Sequence, residues 1–149
     1  MKIKKKSLLI YFAFWLIFLN TYLNAETIFF DTKNIKIKEE GNLVFASNGT
    51  AEIPSQNITI EGDRFIYNKL ISELVVIGNA KFLDKFNNVF IDSEKAIYSE
   101  IENTVLTNGN TFIKYNNKYE IISKNVLYNR NTMKVSSELD TSIFDKKKN

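Results

Sequence analysis

The sequence predicts an all-β fold made by stacking antiparallel units of about thirty residues on one another. Past residue 26 the dominant period is two, as in Lys33-Asn34-Ile35-Lys36-Ile37-Lys38 and Asn57-Ile58-Thr59-Ile60-Glu61. β-Branched and aromatic residues fill these runs, and no stretch of a dozen residues carries an apolar stripe at helical spacing. The third observation is repetition. Gly78-Asn79-Ala80 recurs as Gly109-Asn110-Thr111 and, more loosely, as Gly49-Thr50-Ala51, while Tyr67-Asn68, Tyr98-Ser99 and Tyr128-Asn129 follow at matching distances. A unit this small cannot bury an apolar face alone, so the copies must share a core.

Taken in chain order, a leading half copy occupies residues 34–44, which starts the stack near Thr27. Turn signals then arrive every 8 to 12 residues or so, which suits short strands. Glu40-Gly41-Asn42, Ser47-Asn48-Gly49, Phe86-Asn87-Asn88, Asn108-Gly109-Asn110, Tyr115-Asn116-Asn117-Lys118 and Asn129-Arg130-Asn131 each offer Gly or Asn for a positive φ. Pro54, the single proline, marks a strand end or an edge. Laid over one another, the copies match Ala51 and Ile53 with Ala80 and Phe82 and with Thr111 and Ile113. They also match Phe65 and Tyr67 with Ala96 and Tyr98 and with Val126 and Tyr128. Within each strand the matched residues are two apart, so they share a face. After each Tyr comes an apolar position, Leu74, Val105 or Val135. No linker or low-complexity segment divides the chain.

Residues 1–25 read as a secretory signal peptide. Lys2, Lys4, Lys5 and Lys6 precede an apolar run over residues 8–19, too short for the roughly 20 residues that cross a bilayer, with a cut expected after Leu23-Asn24-Ala25. Leu23 is large for its place in that site, so an uncleaved anchor is the alternative. Of 20 basic side chains the signal holds four and of 17 acidic ones it holds none, which leaves 16 against 17. A nucleic-acid partner therefore has no electrostatic footprint here. Residues 143–149 read as a solvated basic tail ending in Lys146-Lys147-Lys148.

The chain has neither Cys nor His. Disulfides, thiolate metal sites, a lipidated N-terminal Cys and the usual nucleophile–base pairs are all excluded, and no cofactor or metal is expected. Asp63, Asp84, Asp92, Glu94, Glu100 and Glu102 are scattered, and the copies replace Asp92 and Glu94 by Ile122 and Lys124, which favours a solvated face over a paired-carboxylate enzyme site. Gly-Gly-x-Gly-x-Asp calcium repeats are absent. The Tyr67, Tyr98 and Tyr128 rings suit either the edge of a filled core or the mouth of an apolar groove.

Beyond composition, the motifs resemble a known family. Ile60-Glu61-Gly62 with Tyr67-Asn68, Gly78-Asn79-Ala80 with Phe82, Ile91-Asp92-Ser93 with Tyr98, Gly109-Asn110, and Ser123 with Tyr128-Asn129 are similar to the repeats of the OstA-like lipopolysaccharide-transport proteins. That family includes the periplasmic bridge protein LptA and the N-terminal periplasmic domain of the outer-membrane protein LptD. The resemblance spans residues 27–142. It implies a twisted, V-shaped β-jellyroll over residues 26–142 with an apolar slot for lipid acyl chains. It also implies head-to-tail joining to other jellyroll domains by edge-strand addition, and a periplasmic, non-enzymatic role in outer-membrane assembly.

On that reading the lining is Ile58, Ile60, Phe65, Tyr67, Phe82, Ile91, Tyr98, Ile113, Ile121, Val126 and Tyr128, with Ile66 and Ile97 facing outward and Met133 and Val135 on an edge strand that meets a partner. Lipopolysaccharide, through its lipid A acyl chains, is the expected ligand. The chain stops where residues 141–145 begin another copy, which suits a detached N-terminal domain of an LptD-like barrel protein; a retained N-terminal helix would suit the membrane-anchored LptC. A structural β-solenoid surface protein is the reading from another class.

Overall fold

A computed structural model describes residues 27–145; the expected signal peptide and residues 146–149 lie outside the described residues. The chain is all-β. Six long strands follow one another: β1 (Phe29–Lys38), β2 (Leu43–Ile53), β3 (Ile58–Asn68), β4 (Glu73–Asp84), β5 (Val89–Ser99) and β6 (Thr104–Tyr115). Four shorter ones complete the sheet: β7 (Tyr119–Lys124), β8 (Leu127–Asn129), β9 (Lys134–Ser136) and β10 (Ser142–Asp145). Every pairing is antiparallel; β1 to β7 follow one another as a meander, β8 pairs the first part of β6, β9 pairs β8, and β10 returns to pair β7. Ile143, Phe144 and Asp145, read from sequence as the start of a tail, belong to β10.

This sheet is folded back on itself. Tyr98 lies seven residues along β5 from Ile91, the partner of Phe82, a separation of about 23 Å in a flat strand at ~3.3 Å per residue. Yet the Phe82 and Tyr98 rings touch, with centroids 5.8 Å apart. The long strands must therefore bend midway. Register shifts between Glu61 and Arg64, Ile77 and Ala80, and Ser93 and Lys95 mark the bend line. One arm of the V comprises residues 34–38, 43–47, 64–68, 73–77, 95–99 and 104–108 with β8 and β9; we term it the first arm. The second arm comprises residues 29–32, 49–53, 58–61, 80–84, 89–93 and 110–115 with β7 and β10.

The recurring Gly-Asn motif makes this bend. Gly78 and Gly109 have φ of +80° and +88°, and Asn48, Asn79 and Asn125 are also left-handed. Ser47-Asn48-Gly49 and Asn108-Gly109-Asn110, expected as tight turns between short strands, instead lie inside β2 and β6. Both settings need the same positive φ, which is why the sequence could not separate them. The connections themselves include a 3₁₀ turn at Glu39–Gly41, a second at Pro54–Gln56 closing β2, and turns around Phe86, Asn116 and Asn131. Polar side chains on the inner face cluster at the bend and are satisfied there. Thr107 and Thr111 share a 2.8 Å hydroxyl contact, the Ser93 hydroxyl donates to the Lys95 carbonyl, and Ser123 binds Ser137.

Alternation decides the core. All twelve positions matched between the copies, from Ala51 and Ile53 to Val126 and Tyr128, are buried. Leu74 and Val105 join them, while Val135, near the end of the stack, is half-buried. Burying a side chain such as Phe82 or Ile91 stabilises the fold by about 1.5–3 kcal/mol relative to exposure, which is the term that holds the arms together.

Candidate functional site

The eleven residues expected to line an apolar interior lie in one continuous buried cluster. Ile58, Ile60, Phe82, Ile91, Ile113 and Ile121 project from the second arm, and Phe65, Tyr67, Tyr98 and Tyr128 from the first, with Val126 at the bend. Ile66 and Ile97 fall in the opposite phase and are half-buried on the outer face. In this structure the two arms close on one another, so the interior is packed from both sides.

The three repeat tyrosines share one arrangement: each buries its ring and carries its hydroxyl to a polar partner. Tyr67 donates to Glu100 at 3.0 Å, Tyr98 to Gln56 at 2.8 Å and Tyr128 to Asp84 at 3.3 Å. The latter two bonds cross from the first arm to the ends of the second, that is, across the mouth of the V. Phe30 crosses nearer the N-terminal end, its ring meeting Phe65 edge-on at 6.0 Å and Tyr67 at 6.4 Å.

A group that sequence reasoning missed sits in the same mouth. Arg130, one residue past β8, donates from Nε to Asp84 Oδ2 at 2.7 Å, and the two side chains are 6% and 0% exposed. Its remaining nitrogens bond the Gln56 side chain, the Gln56 carbonyl and the Asn103 side chain. Asp84 also accepts from the Asn87 backbone N–H at 3.0 Å and from its side chain at 2.8 Å. Burial pushes the Asp84 carboxyl up, but the Arg130 and Asn87 hydrogen bonds and the Arg130 charge outweigh it, and the carboxyl is held below its usual 3.8. Tyr128 is pushed well above its usual 10, first by burial and then by the Asp84 charge. The signal for this pair was its phase: Asp84 stands two residues after inward Phe82, and Arg130 two after inward Tyr128.

At its two ends the interior is uncovered. Ile35 and Ile37 pair with buried Ala46 and Val44, hence face inward, yet are 55% and 59% exposed. Ile143, opposite Ile121 on β10, is 63% exposed. The strands there are edges: β1 pairs β2 alone, β10 pairs β7 alone, and β9 pairs β8 alone among the described residues. Val135 lies on β9, while Met133 lies in the preceding turn with φ +54°. A cavity of about 460 Å³ opens near the β1 end, against Ile35, Ala46, Phe65 and Ile77. A second, of about 700 Å³, lies on the mouth against Gln56, Phe86, Asn103 and Arg130.

An inner surface of this kind is apolar along both arms, with its polar groups at the bend and at the mouth. No family model and no curated protein matches the sequence. In three dimensions the chain is similar to LptH of Pseudomonas aeruginosa, described as the LptA homologous periplasmic component of the conserved lipopolysaccharide transport device. The TM-score is 0.68 over 81% of this chain and 96% of that one, at 8% identity. The fold is an LptA-like β-jellyroll. At so low an identity the likeness is one of fold alone.

Proposed function

We propose that the chain is a periplasmic lipopolysaccharide-binding bridge protein, which carries acyl chains between the two arms of the jellyroll toward the outer membrane. The observation that carries this reading is the continuous apolar interior whose inward residues Ile35, Ile37 and Ile143 remain exposed at both ends. A filled structural core has no reason to leave its own layer open at both edges, whereas a conduit continues into the next domain there. The similarity to LptH, a component of a lipopolysaccharide transport device, supports the same reading.

The energetics suit a carrier. Exposing a twelve-carbon acyl chain costs about 10 kcal/mol at ~0.8 kcal/mol per CH₂. An interior that is itself apolar offsets most of that cost, but chain entry must displace contacts the arms already make with each other, so net binding stays weak enough for release. The edges of β1, β9 and β10, unpaired among the described residues, supply main-chain donors and acceptors for strand addition by neighbouring jellyrolls. The test is a photo-crosslinking amino acid placed at Phe82 or Tyr98 in the full chain, mixed with lipopolysaccharide. Adducts are expected at these two positions and not at outward Ile66 or Ile97; labelling confined to Ile66 and Ile97 would overturn the reading.

A further inference from the structure

We propose that Asp84 and Arg130, braced by Gln56 and Asn103, form a latch that closes the mouth of the V and controls lateral entry of an acyl chain. The choice of ligand rests on the conduit reading above; the latch itself rests on geometry.

Four connections converge on one guanidinium. Asp84 ends β4 on the second arm and Gln56 lies in the turn after β2, also on that arm. Arg130 and Asn103 belong to turns at the end of the first arm, where the Arg130 N–H donates to the Asn103 carbonyl at 3.0 Å. Every hydrogen bond from Arg130 to Asp84 or Gln56 therefore ties one arm to the other. The Tyr98 and Tyr128 hydroxyls end on the same two acceptor residues, so the latch stands directly over the rings of the interior. For the arms to separate here, these bonds must break together.

The rest of the mouth is built differently. Toward the N-terminal end the Phe30 ring bridges the arms by apolar contact, and Ile35 and Ile37 beyond it are exposed. Apolar contact of that sort yields without direction and accepts an acyl chain as a substitute. A bridge of charged hydrogen bonds does neither. It holds one geometry, and once open its groups are hydrated from the adjoining mouth cavity, so that opening is a discrete event. Shifted back by one repeat, the equivalent places hold Ser55 and Glu100, so the oppositely charged pair is not repeated there.

The test uses the full chain in two forms. In Arg130→Gln, amide exchange in residues 80–84 and 127–129 is expected to rise by about tenfold or more over the wild type, with residues 34–38 and 43–47, far from the latch, changed far less. Unchanged exchange, or an equal rise throughout the sheet, would overturn the latch. Because Arg130→Gln can fail to fold, the second form is a lock. The chain has no native Cys, so Gln56→Cys and Asn103→Cys can be joined in the folded protein by a reducible bis-maleimide. Uptake of a fluorescent dodecanoic acid is expected to slow by about tenfold or more when locked and to recover on reduction. Uptake at the unlocked rate would mean that chains enter at the open ends, and the latch would be refuted as a gate. If even the unlocked protein takes up no dodecanoate, the lipid reading fails by itself, and the exchange pattern alone decides whether the arms are latched.

Discussion

Removing either partner of the Asp84–Arg130 pair should cost far more than an ordinary surface ion pair. Arg130→Met leaves the Asp84 carboxylate at zero exposure with two Asn87 donors and the Tyr128 hydroxyl, but without a countercharge. An uncompensated buried charge of that kind costs about 3–5 kcal/mol. Asp84→Asn is gentler, because Arg130 keeps the Gln56 and Asn103 acceptors and can turn toward the mouth cavity; about 2–3 kcal/mol is expected. The double variant removes both charges, so its loss should fall short of the sum by about 1–3 kcal/mol. With total stability of about 5–15 kcal/mol, each single variant remains measurable by urea unfolding.

The pH dependence has a fixed sign. The folded carboxyl titrates below 3.8, so its contribution is complete above that pH and is lost as pH falls through the lower folded value, where the unfolded chain binds the extra proton. Asp84→Asn should therefore flatten the acid side of the stability curve. Losses under about 1 kcal/mol for both single variants, with no coupling between them, would show a solvated pair and refute the reasoning.

Two further outcomes follow from the edges. A Cβ added at Gly49 would lie 2.1 Å from the Asp31 carbonyl oxygen and 2.7 Å from Thr32 Cα, both backbone atoms of β1, so Gly49→Ala should detach β1 while leaving β3 to β6 intact. Amide exchange reads this directly: loss of protection limited to β1 and its β2 partners is expected, and full protection of β1 would contradict it. Deleting residues 133–137 removes β9 with Val135 and should abolish the end-to-end association proposed above, read by analytical ultracentrifugation. An unchanged oligomer size would place the contact elsewhere.

What the sequence makes legible here is phase; what it hides is the path. Alternation placed Ile53, Phe82 and Ile113 on one inward face, and Phe65, Tyr98 and Tyr128 on another, because side-chain direction follows from a strand's period of two and needs no knowledge of neighbours. The bend was hidden because Gly109 with φ +88° serves a hairpin and a mid-strand bulge equally. The pairing of residues 110–115 with β7 and of 104–106 with β8 shows directly that β6 enters both arms. The latch was hidden for the same reason. Asp84 and Arg130 each carry an inward phase, yet a carboxylate and a guanidinium 46 residues apart can be matched only once the fold brings the end of β4 against the turn after β8. Charges at inward positions of an otherwise apolar repeat are tolerable only in contact, since either alone would be a buried ion. That requirement turns two apparent breaks in the repeat into one bridge between the arms, at the place where the repeat's tyrosines bring their hydroxyls to the rim.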